Sequence, residues 1–511
     1  MQKASLQLFK SIIISGAAVV ISYFINFFLT SFVTENIGVE AYGFISIARN
    51  FVNYATIITV SLTAFTVRHI SITYHSGDFE ESKSYYSSAI MAFAIVSGIL
   101  LIAFLFFVWK LEYFINIPND LRSAVKILFI IVFLNFCVTT ITTPFSASSY
   151  IKDRLDIAGL TKILSYIIDA AIMVILFMNL TPQVWYVGIG SLTASTVLLI
   201  GNIILTKTLT PELKFKLQAV SFTKIKTMAG QGAWNSLNQL GNELNSGLDL
   251  LISNWYLSGV ATGQISIVKT LGSIFSTLAA TVWQPCQPQM IKQYSSQNLS
   301  AFLHEVKKAM KVCGIFVALA FAGFIALGQL YLKLWVPSQD SGVLYVLAIW
   351  TIANQITEGI MKPIYYINTL TIKNKVPCFV TMGGGVLNVV SMIILLNFTN
   401  LGAIAVVSTT AIIMLGINLF FNPIYAAKCL KIKPWIFYKI IARHLAATTA
   451  LTIIFWLISY VLKPINWLGL ILCAVLMVIV GSPIYLLIIN TPKELKALFI
   501  KICLKFKKHK K

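Results

Sequence analysis

Fourteen stretches of apolar residues, each near the length of a membrane-spanning helix, set the architecture of this chain. A helix needs about 20 residues to cross the hydrocarbon core of a bilayer. With 58% hydrophobic and 11% charged residues, the chain has almost no room for a globular domain. We predict an all-α polytopic membrane protein with spans near 10–33, 41–66, 86–110, 123–148, 157–179, 184–206, 228–256, 261–288, 303–328, 341–369, 376–398, 402–427, 440–462 and 466–490.

The basic residues predict the orientation of these spans. With the N-terminus in the cytoplasm, 31 of the 39 Lys and Arg residues fall on the cytoplasmic side and five fall outside, as the positive-inside rule requires. Both termini are therefore predicted to be cytoplasmic. The net charge of +22 then reflects topology and contact with anionic lipids, so we expect no binding of nucleic acid. The basic tail, 492–511, fits either a helix lying on the membrane surface or a solvated tail.

The seventh span, predicted as one helix from Met228 to Tyr256, carries a row of polar residues. Steps of three and four place this row on one helical face. An unsatisfied amide or carboxylate in hydrocarbon is costly, so the face must meet water, protein or a polar ligand. Hydrogen bonds between helices would explain a single asparagine, whereas a whole row with two acids favours a hydrated cavity. The row comprises Asn235, Asn238, Asn242, Asn245 and Asp249, with Glu243 beside it.

Ionisable residues inside spans are the default candidates for functional sites, because each is costly at the bilayer centre unless it is hydrated or paired. Glu358 and Lys362 are four residues apart, with the acid first, which favours a pair on one helix. Asp249 and Lys269 lie at equal distances from the turn at residue 259, so an antiparallel hairpin would also pair them. The candidates are Arg49, Asp169, Glu243, Asp249, Lys269, Glu358 and Lys362.

Arg49 differs from the other basic residues in the spans. The same hairpin construction places it opposite Asn26 rather than an acid. A free guanidinium suits a diphosphate, to which it donates two parallel hydrogen bonds; the alternative is a pair with Glu243 or Asp249. For Asp169 three roles stay open: a protonated buried acid, a cation site or a hydrogen-bonded structural residue.

An internal repeat divides the chain. The segments Gly43–Arg49 and Gly263–Lys269 agree at five of seven positions when Arg and Lys are counted together, and Pro144 and Pro363 recur at nearly the same offset. Six helices per copy would give two lobes of the same orientation, related by an axis along the membrane normal. We predict an N-terminal lobe at 1–208, a basic linker and second lobe at 209–427, and two appended helices with the tail at 428–511.

These features together resemble one family. The fourteen-helix plan, the two lobes, the basic residues Arg49 and Lys269, and the Gly-Ala-Trp-Asn start of helix seven at 232–235 are similar to the multidrug/oligosaccharidyl-lipid/polysaccharide exporter superfamily. Within it, the chain resembles polysaccharide repeat-unit flippases of the Wzx type.

The resemblance implies that undecaprenyl-diphosphate-linked oligosaccharides, such as units of O-antigen, lipopolysaccharide or capsule, move from the cytoplasmic to the outer leaflet of a bacterial inner membrane. Alternating access of the two lobes would carry them. The implied partners are that lipid, the membrane lipids, and a polysaccharide polymerase with its assembly proteins. The substrate site would use Arg49, Lys269, Asn26 and the polar row, with Asp169, Glu358 and Lys362 as candidates for coupling or gating.

The sequence fits two other functions less well. An ion-coupled drug exporter of the same superfamily would need an early carboxylate, but helix one contains no acid, and a cavity with Arg49 and Lys269 disfavours cationic drugs. A membrane enzyme, such as a polysaccharide polymerase or acyltransferase, would need a catalytic motif and large outer loops, which the sequence lacks. We therefore expect no enzymatic activity, no cofactor and no metal, and an ion gradient or the membrane potential as candidate driving forces.

Overall fold

The computed structural model describes residues 2–492, 494 and 495, without the side chains of 2–13, 15, 16, 19, 64, 231–235 and 288. Of the described residues, 87% are helical and none lies in a strand, which confirms the all-α class. All but the first residues of the predicted amphipathic tail lie outside the described part. The helices are α1 (Gln2–His75), α2 (Phe79–Trp109), α3 (Arg122–Ile151), α4 (Leu155–Asn179), α5 (Tyr186–Leu209), α6 (Phe222–Ser246), α7 (Asp249–Tyr256), α8 (Gly259–Trp283), α9 (Gln287–Ser295), α10 (Leu299–Trp335), α11 (Ser341–Ala353), α12 (Gln355–Leu370), α13 (Lys375–Phe398), α14 (Ala403–Gly416), α15 (Asn422–Leu430), α16 (Trp435–Leu462) and α17 (Trp467–Ile489).

The observed helices account for all fourteen predicted spans. Among the described residues, twelve helices are long and apolar enough to cross a membrane. The first of these, in α1, covers two predicted spans. The remaining predicted span, 228–256, forms α6, which is too polar to be counted among the twelve, and α7, which is too short.

Gly38 separates the two spans within α1. Its φ of 83° and ψ of 161° are not helical, and glycine adopts a positive φ without a steric penalty. The Thr30 Oγ1 atom lies 3.4 Å from the Tyr42 hydroxyl oxygen, whereas twelve residues of a straight helix would span about 18 Å. The chain therefore doubles back at Gly38, and α1 is an antiparallel hairpin of two spans.

The prediction of one unbroken helix over 228–256 is wrong, because α6 ends at Ser246 and α7 begins at Asp249. Two further predicted spans are also interrupted. The span 341–369 divides into α11 and α12 at Asn354, and the span 402–427 contains a π-helical turn at Ile417–Phe421. In membrane transporters and elsewhere, such interruptions often occur at functional sites.

The chain divides into two compact units, Met1–Ser266 and Ile267–Lys511, with the boundary inside α8. The six-helix lobes at 1–208 and 209–427 remain a prediction. In the first unit, α1 packs against α2, α3, α4 and α6. Helix α5 packs on α3 and α4. The most buried side chains of α3 include Phe129 and Phe133.

The linker between α5 and α6 lies on the first turns of α2. The Ser84 hydroxyl donates to the Ala219 carbonyl at 2.7 Å. The hydroxyls of Ser87 and Ser88 accept hydrogen bonds from the amides of Lys216 and Ser221, at 3.1 and 2.8 Å. These contacts hold the start of α6 in the first unit.

In the second unit, α10 packs against α12, α16 and α17. Two hydrogen bonds of the buried His444 join α16 to α12 and α17. Its Nε2 atom lies 2.9 Å from the Ile356 carbonyl oxygen, so Nε2 must carry the proton, because a carbonyl only accepts. Its Nδ1 atom then accepts from the Tyr485 hydroxyl, also at 2.9 Å.

Candidate substrate site

The break between α6 and α7 is built around the carbonyl oxygen of Gly247. From α1, the Asn50 side-chain amide donates to this oxygen at 2.9 Å and the Tyr54 hydroxyl donates to it at 2.7 Å. A carbonyl has two lone pairs, so these donors leave it no capacity for the amide of the next helical turn. Side chains that insert into the helical ladder in this way interrupt it.

Two acids of the predicted site lie beside this break. The carboxylates of Glu243 and Asp249 are both within electrostatic range of the Tyr54 hydroxyl. Glu243 accepts a hydrogen bond from the Gln239 amide at 2.7 Å, and its carboxylate lies over Gly247, where a Cβ atom would overlap it. Asp249 is 4% exposed. The two acids thus meet α1 at one point of the first unit.

The polar row of α6 is not uniform. Asn238 and Asn242 are exposed, but Asn245 is completely buried, and its side-chain amide donates to the Gly241 carbonyl at 2.8 Å. The prediction that the whole row faces one hydrated cavity therefore needs correction, because its last two members, Asn245 and Asp249, are buried. The side chain of Asn235 lies outside the described residues.

Arg49 is exposed on α1, one residue before Asn50. None of the ion pairs within 4.0 Å among the described residues includes it. Its charge acts instead on Asp169 of α4 over a longer distance. The described contacts leave the guanidinium donors of Arg49 available to a ligand.

Asp169 packs between helices of the first unit. A Cβ atom at Gly190 of α5 would lie 2.5 Å from its Oδ1 atom, so this glycine makes room for the carboxylate. The Oδ1 atom is buried and accepts no hydrogen bond from the described residues. Sequence reasoning found no partner for Asp169, and the structure places Arg49 within electrostatic range of it.

Asn26 is exposed and turned toward its own helix. Its amide donates to the Ser22 carbonyl at 2.8 Å and to the Ser22 hydroxyl at 3.4 Å. The structure therefore gives Asn26 a local role in α1. A direct role toward a substrate remains a prediction.

In the second unit, the pair predicted from spacing is present. The Lys362 Nζ atom lies 2.5 Å from the Glu358 Oε1 atom, and both side chains are 22% exposed. Glu358 lies in the first turn of α12, just after the break at Asn354, whose carbonyl accepts from the Glu358 amide at 2.9 Å. Lys269 is half-buried on α8, and its predicted pairing with Asp249 remains a prediction.

Asn50, Tyr54 and Asn418 were missed by sequence reasoning. Asn418, in the π-helical turn, accepts from the Tyr365 hydroxyl at 2.6 Å, and its amide donates to Thr357 at 3.2 Å. A signal for Asn50 was available, because an asparagine directly after Arg49 in mid-span is costly without a partner. Tyrosine is common in spans, so Tyr54 gave no such signal.

The second unit also contains an apolar cavity of about 600 Å³ between α8, α10, α16 and α17. Its lining is almost entirely hydrocarbon and aromatic and includes Phe275, Phe316, Leu319, Phe455 and Met477. The two helices that sequence analysis placed outside the repeat, α16 and α17, form one side of this cavity.

Near the start of α8, the first unit contains a crossing of two helices at glycines. A Cβ atom at Gly43 of α1 would lie 3.1 Å from the backbone nitrogen of Gly263, and one at Gly263 would overlap the Val39 carbonyl oxygen. The predicted hairpin of α7 and α8 is present near its turn, since the hydroxyl oxygens of Ser253 in α7 and Thr262 in α8 lie 2.8 Å apart. Close backbone contact at small residues is a common way for membrane helices to associate.

Known proteins share this arrangement of helices. The chain is similar to a solved structure of the lipid II flippase MurJ in an inward closed conformation, with a TM-score of 0.67 and 17% identity, covering 93% of this chain and 99% of that one. The chain has the fold of the multidrug/oligosaccharidyl-lipid/polysaccharide exporter superfamily. A multidrug resistance MATE transporter of this superfamily, in an inward-facing conformation, matches with a TM-score of 0.63 and 13% identity over 80% of this chain and 96% of its own.

A sequence relative adds the membrane setting. The chain is 27% identical over 454 residues to an uncharacterized membrane protein of Bacillus subtilis (strain 168), EpsK, covering 89% of this chain and 90% of the relative. No family model matches the chain. The superfamily fold, a membrane-protein relative and twelve apolar helices in the described part agree on a multi-pass membrane protein.

Proposed function

We propose that this protein is a flippase for polyprenyl-diphosphate-linked oligosaccharides, which it moves from the cytoplasmic to the outer leaflet of a bacterial inner membrane. The observation that carries the proposal is Arg49: an exposed guanidinium within a span, included in none of the ion pairs among the described residues. A buried or membrane-embedded arginine normally has an anionic partner. A diphosphate supplies two negatively charged acceptors in the geometry that guanidinium prefers.

The apolar cavity of the second unit supports a lipid-linked substrate. A polyprenyl chain is branched hydrocarbon, and its transfer into an apolar cavity stabilises binding in proportion to the area buried. Phe275, Phe316 and Met477 are typical of the lining, which contains only two residues with polar side chains, Tyr331 and Ser482, and so offers few hydrogen-bond partners for a polar compound. The first unit thus offers a cationic group that suits a charged head, and the second unit offers an apolar surface that suits a hydrocarbon tail.

The first experiment follows the lipid-linked oligosaccharide in cells that lack the gene. Periodate or an added glycosidase reaches sugars on the outer face of intact cells, and reaches all sugars after permeabilisation. We expect the accumulated oligosaccharide to be protected in intact deletion cells and accessible once the gene is restored. Equal accessibility in both strains would contradict the proposal.

Complementation then tests Arg49 itself. We expect Arg49→Ala to lower export by roughly tenfold or more, the scale expected when one partner of a charge-assisted contact is removed, and Arg49→Lys to restore part of it. Arg68→Ala is the matched control, because Arg68 is exposed on the same helix and forms no ion pair within 4.0 Å among the described residues; its guanidinium carbon lies 5.9 Å from the centre of the Phe65 ring. Equal losses in Arg49→Ala and Arg68→Ala at normal membrane levels would remove Arg49 from the substrate site.

An ion-coupled drug exporter is the second candidate, favoured by the two acids beside Tyr54, Glu243 and Asp249, which would attract a cation. The two functions separate in one comparison. A drug exporter lowers the susceptibility of cells to cationic compounds and does not change the leaflet in which lipid-linked sugars lie. A flippase moves the lipid-linked sugars to the outer leaflet and does not change the susceptibility to these compounds. Loss of drug resistance without trapped oligosaccharide would establish the alternative.

The proposed orientation, with both termini in the cytoplasm, is tested by labelling introduced cysteines from outside intact cells. Cysteines at Asp120 and Ser338 should react with a membrane-impermeant maleimide, and those at Lys216 and Lys433 should react only after permeabilisation. Reaction of the cysteine at position 216 or 433 in intact cells would show that the orientation is the opposite of the proposed one.

A further inference from the structure

A polar cavity lies in the first unit, away from Arg49. It lies near the turn between α7 and α8, whereas the α6–α7 break lies at the other end of α7. It has a volume of about 410 Å³ and lies among the start of α8, the end of α7, the turn after Gly38 and the loop that follows α2. Five polar side chains line it: Glu40, Glu112, Asn116, Arg122 and Asn254. The distribution of Lys and Arg assigns this end of the helices to the outer face.

Reciprocal hydrogen bonds fix two sides of this outer pocket. The Asn254 side-chain oxygen accepts from the backbone amide of Asn116 at 2.8 Å. The Asn116 amide group donates to the Asn254 carbonyl at 2.9 Å, and the Asn254 amide group donates back to the Asn116 carbonyl at 3.1 Å. The loop after α2 is thereby held to the end of α7 in one conformation. A polar site that is fixed before its ligand arrives loses less entropy on binding.

The charged residues of the outer pocket are also held in place. Glu112 accepts from Lys126 at 2.8 Å and lies 3.3 Å from the Arg122 Nε atom. The hydrogen bond from Lys126, with the positive charge of Arg122, lowers the pKa of the Glu112 carboxyl, so Glu112 is ionised at neutral pH. Arg122 also donates to the Asn119 side-chain oxygen at 2.8 Å.

Glu40 supplies the acceptor at the floor of the pocket. Its carboxylate lies over Gly259, the first residue of α8, where any Cβ atom would overlap it. The free amides at a helix N-terminus favour a negative charge in this position. One turn further along α8, Gly263 and Gly43 cross at close range.

We propose that the outer pocket binds sugar residues of the transported head group on the outer face. The pocket combines acceptors (Glu40, Glu112), donors (Arg122, Asn116) and an apolar wall of Ile117, Pro118 and Leu257. Fixed carboxylate, amide and guanidinium groups match neighbouring hydroxyls, which both donate and accept, and the apolar wall matches the carbon–hydrogen face of a sugar ring. This inference rests on the proposed function and adds to the diphosphate site at Arg49 an outward-facing site for sugars.

The charge of the pocket separates this ligand from others. The carboxylates of Glu40 and Glu112 are matched by the cations of Arg122 and Lys126, so the pocket has no net positive charge to attract a free phosphate or diphosphate. A neutral polyhydroxyl compound needs no such charge. The diphosphate is thereby left to Arg49, and the pocket selects for the sugars.

The experiment measures protection of a cysteine by the substrate. Ile117→Cys, in a functional background whose native cysteines are replaced, reports on the pocket, and Ile465→Cys, which is 81% exposed on the loop between α16 and α17, is the control. Both are labelled from outside with a hydrophilic maleimide. One strain makes the lipid-linked oligosaccharide and accumulates it because polymerisation is blocked. The other lacks the first sugar-transfer step and makes none.

We expect Ile117→Cys to react at least threefold more slowly in the strain that makes the oligosaccharide, with no change at Ile465→Cys. Adding Glu40→Gln or Arg122→Gln should abolish the protection at a normal membrane level. Equal rates in the two strains, the result expected if a phospholipid head group occupied the pocket, would overturn the inference. So would protection that survives both substitutions.

Failure of the proposed function has a different signature. If the deletion strain does not trap lipid-linked oligosaccharide inside the cell, transport and the outer pocket fall together. If the oligosaccharide is trapped but Ile117→Cys is not protected in the producing strain, only the sugar site is removed.

Discussion

Gly43 and Gly263, which align in the repeat predicted from the sequence, approach each other closely through their backbones. A Cβ atom at Gly43 would lie 3.1 Å from the Gly263 nitrogen, and one at Gly263 would overlap the Val39 carbonyl oxygen. In an alternating-access cycle, some helices that touch in one state separate in another. A contact made by backbone atoms alone can close tightly and can part without breaking an ion pair.

We expect Gly263→Ala to destabilise the protein more than Gly43→Ala. The first substitution forces backbone atoms apart, at a cost of about 1–3 kcal/mol for overpacking, whereas the second needs a shift of a few tenths of an ångström. Thermal unfolding in detergent measures both. Gly383→Ala on α13 is the control, because no atom lies within 4 Å of its Cβ position. Equal melting temperatures for all three variants would refute the close contact.

Removal of the two donors to Gly247 should be non-additive. Tyr54→Phe or Asn50→Leu alone leaves the carbonyl with one partner, but the double variant leaves a buried carbonyl unsatisfied, which costs about 1–3 kcal/mol. The double variant should therefore lose more stability than the sum of the single variants, as measured by thermal unfolding. Tyr113→Phe, at a side chain that is 81% exposed, should have no effect. Strict additivity would show that the two bonds act independently.

The polar row of α6 should show two classes of reactivity. In a background without native cysteines, Asn238→Cys and Asn242→Cys should react with a small hydrophilic thiol reagent, whereas Asn245→Cys should be at least tenfold slower, because residue 245 is completely buried. The rates of labelling in membranes provide the measurement. A reactive Asn245→Cys together with inert residues 238 and 242 would contradict this pattern of burial along α6.

The Glu358–Lys362 pair should tolerate loss of both charges better than loss of one. A charge left alone in a partly buried site is the costly state, so Glu358→Gln or Lys362→Met should each lower the melting temperature more than the double variant does. The comparison is the pair of Glu305 and Lys308, in which the lysine is 61% exposed and the glutamate 21% exposed. Because water reaches the Lys308 ammonium, this pair contributes little, so its variants should all unfold near the wild-type temperature. A double variant as unstable as the worse single one would argue against mutual neutralisation.

The spans were predictable because each depends on a local property, the apolar run of about 20 residues that a bilayer demands. The breaks within spans were not. The interruption at Gly247 depends on Asn50 and Tyr54, which lie almost 200 residues away in the sequence and donate to a backbone carbonyl. Sequence spacing within α6 contains no information about these donors.

The polar residues within the spans also differ in how far the sequence predicts their contacts. Glu358 and Lys362 are neighbours on one helix, so their spacing sufficed to predict the contact. Asp169 depends on the packing of α4 against α5, where Gly190 makes room for it, and no local pattern indicates that relationship. The polar row was predicted as one face, but burial is set by the helices packed on α6, and those cover Asn245 while leaving Asn242 exposed.

The linker on α2 has a consequence for how the chain was assembled. The predicted six-helix lobes suggest that each lobe folds by itself and that the linker between them is loose. Here Ser84, Ser87 and Ser88 bind the second half of that linker, 216–221, and the compact unit extends to Ser266. Helices α6 and α7, which the sequence assigns to the second lobe, thus belong to the first unit, so synthesis on the ribosome must reach well beyond residue 208 before this unit is complete.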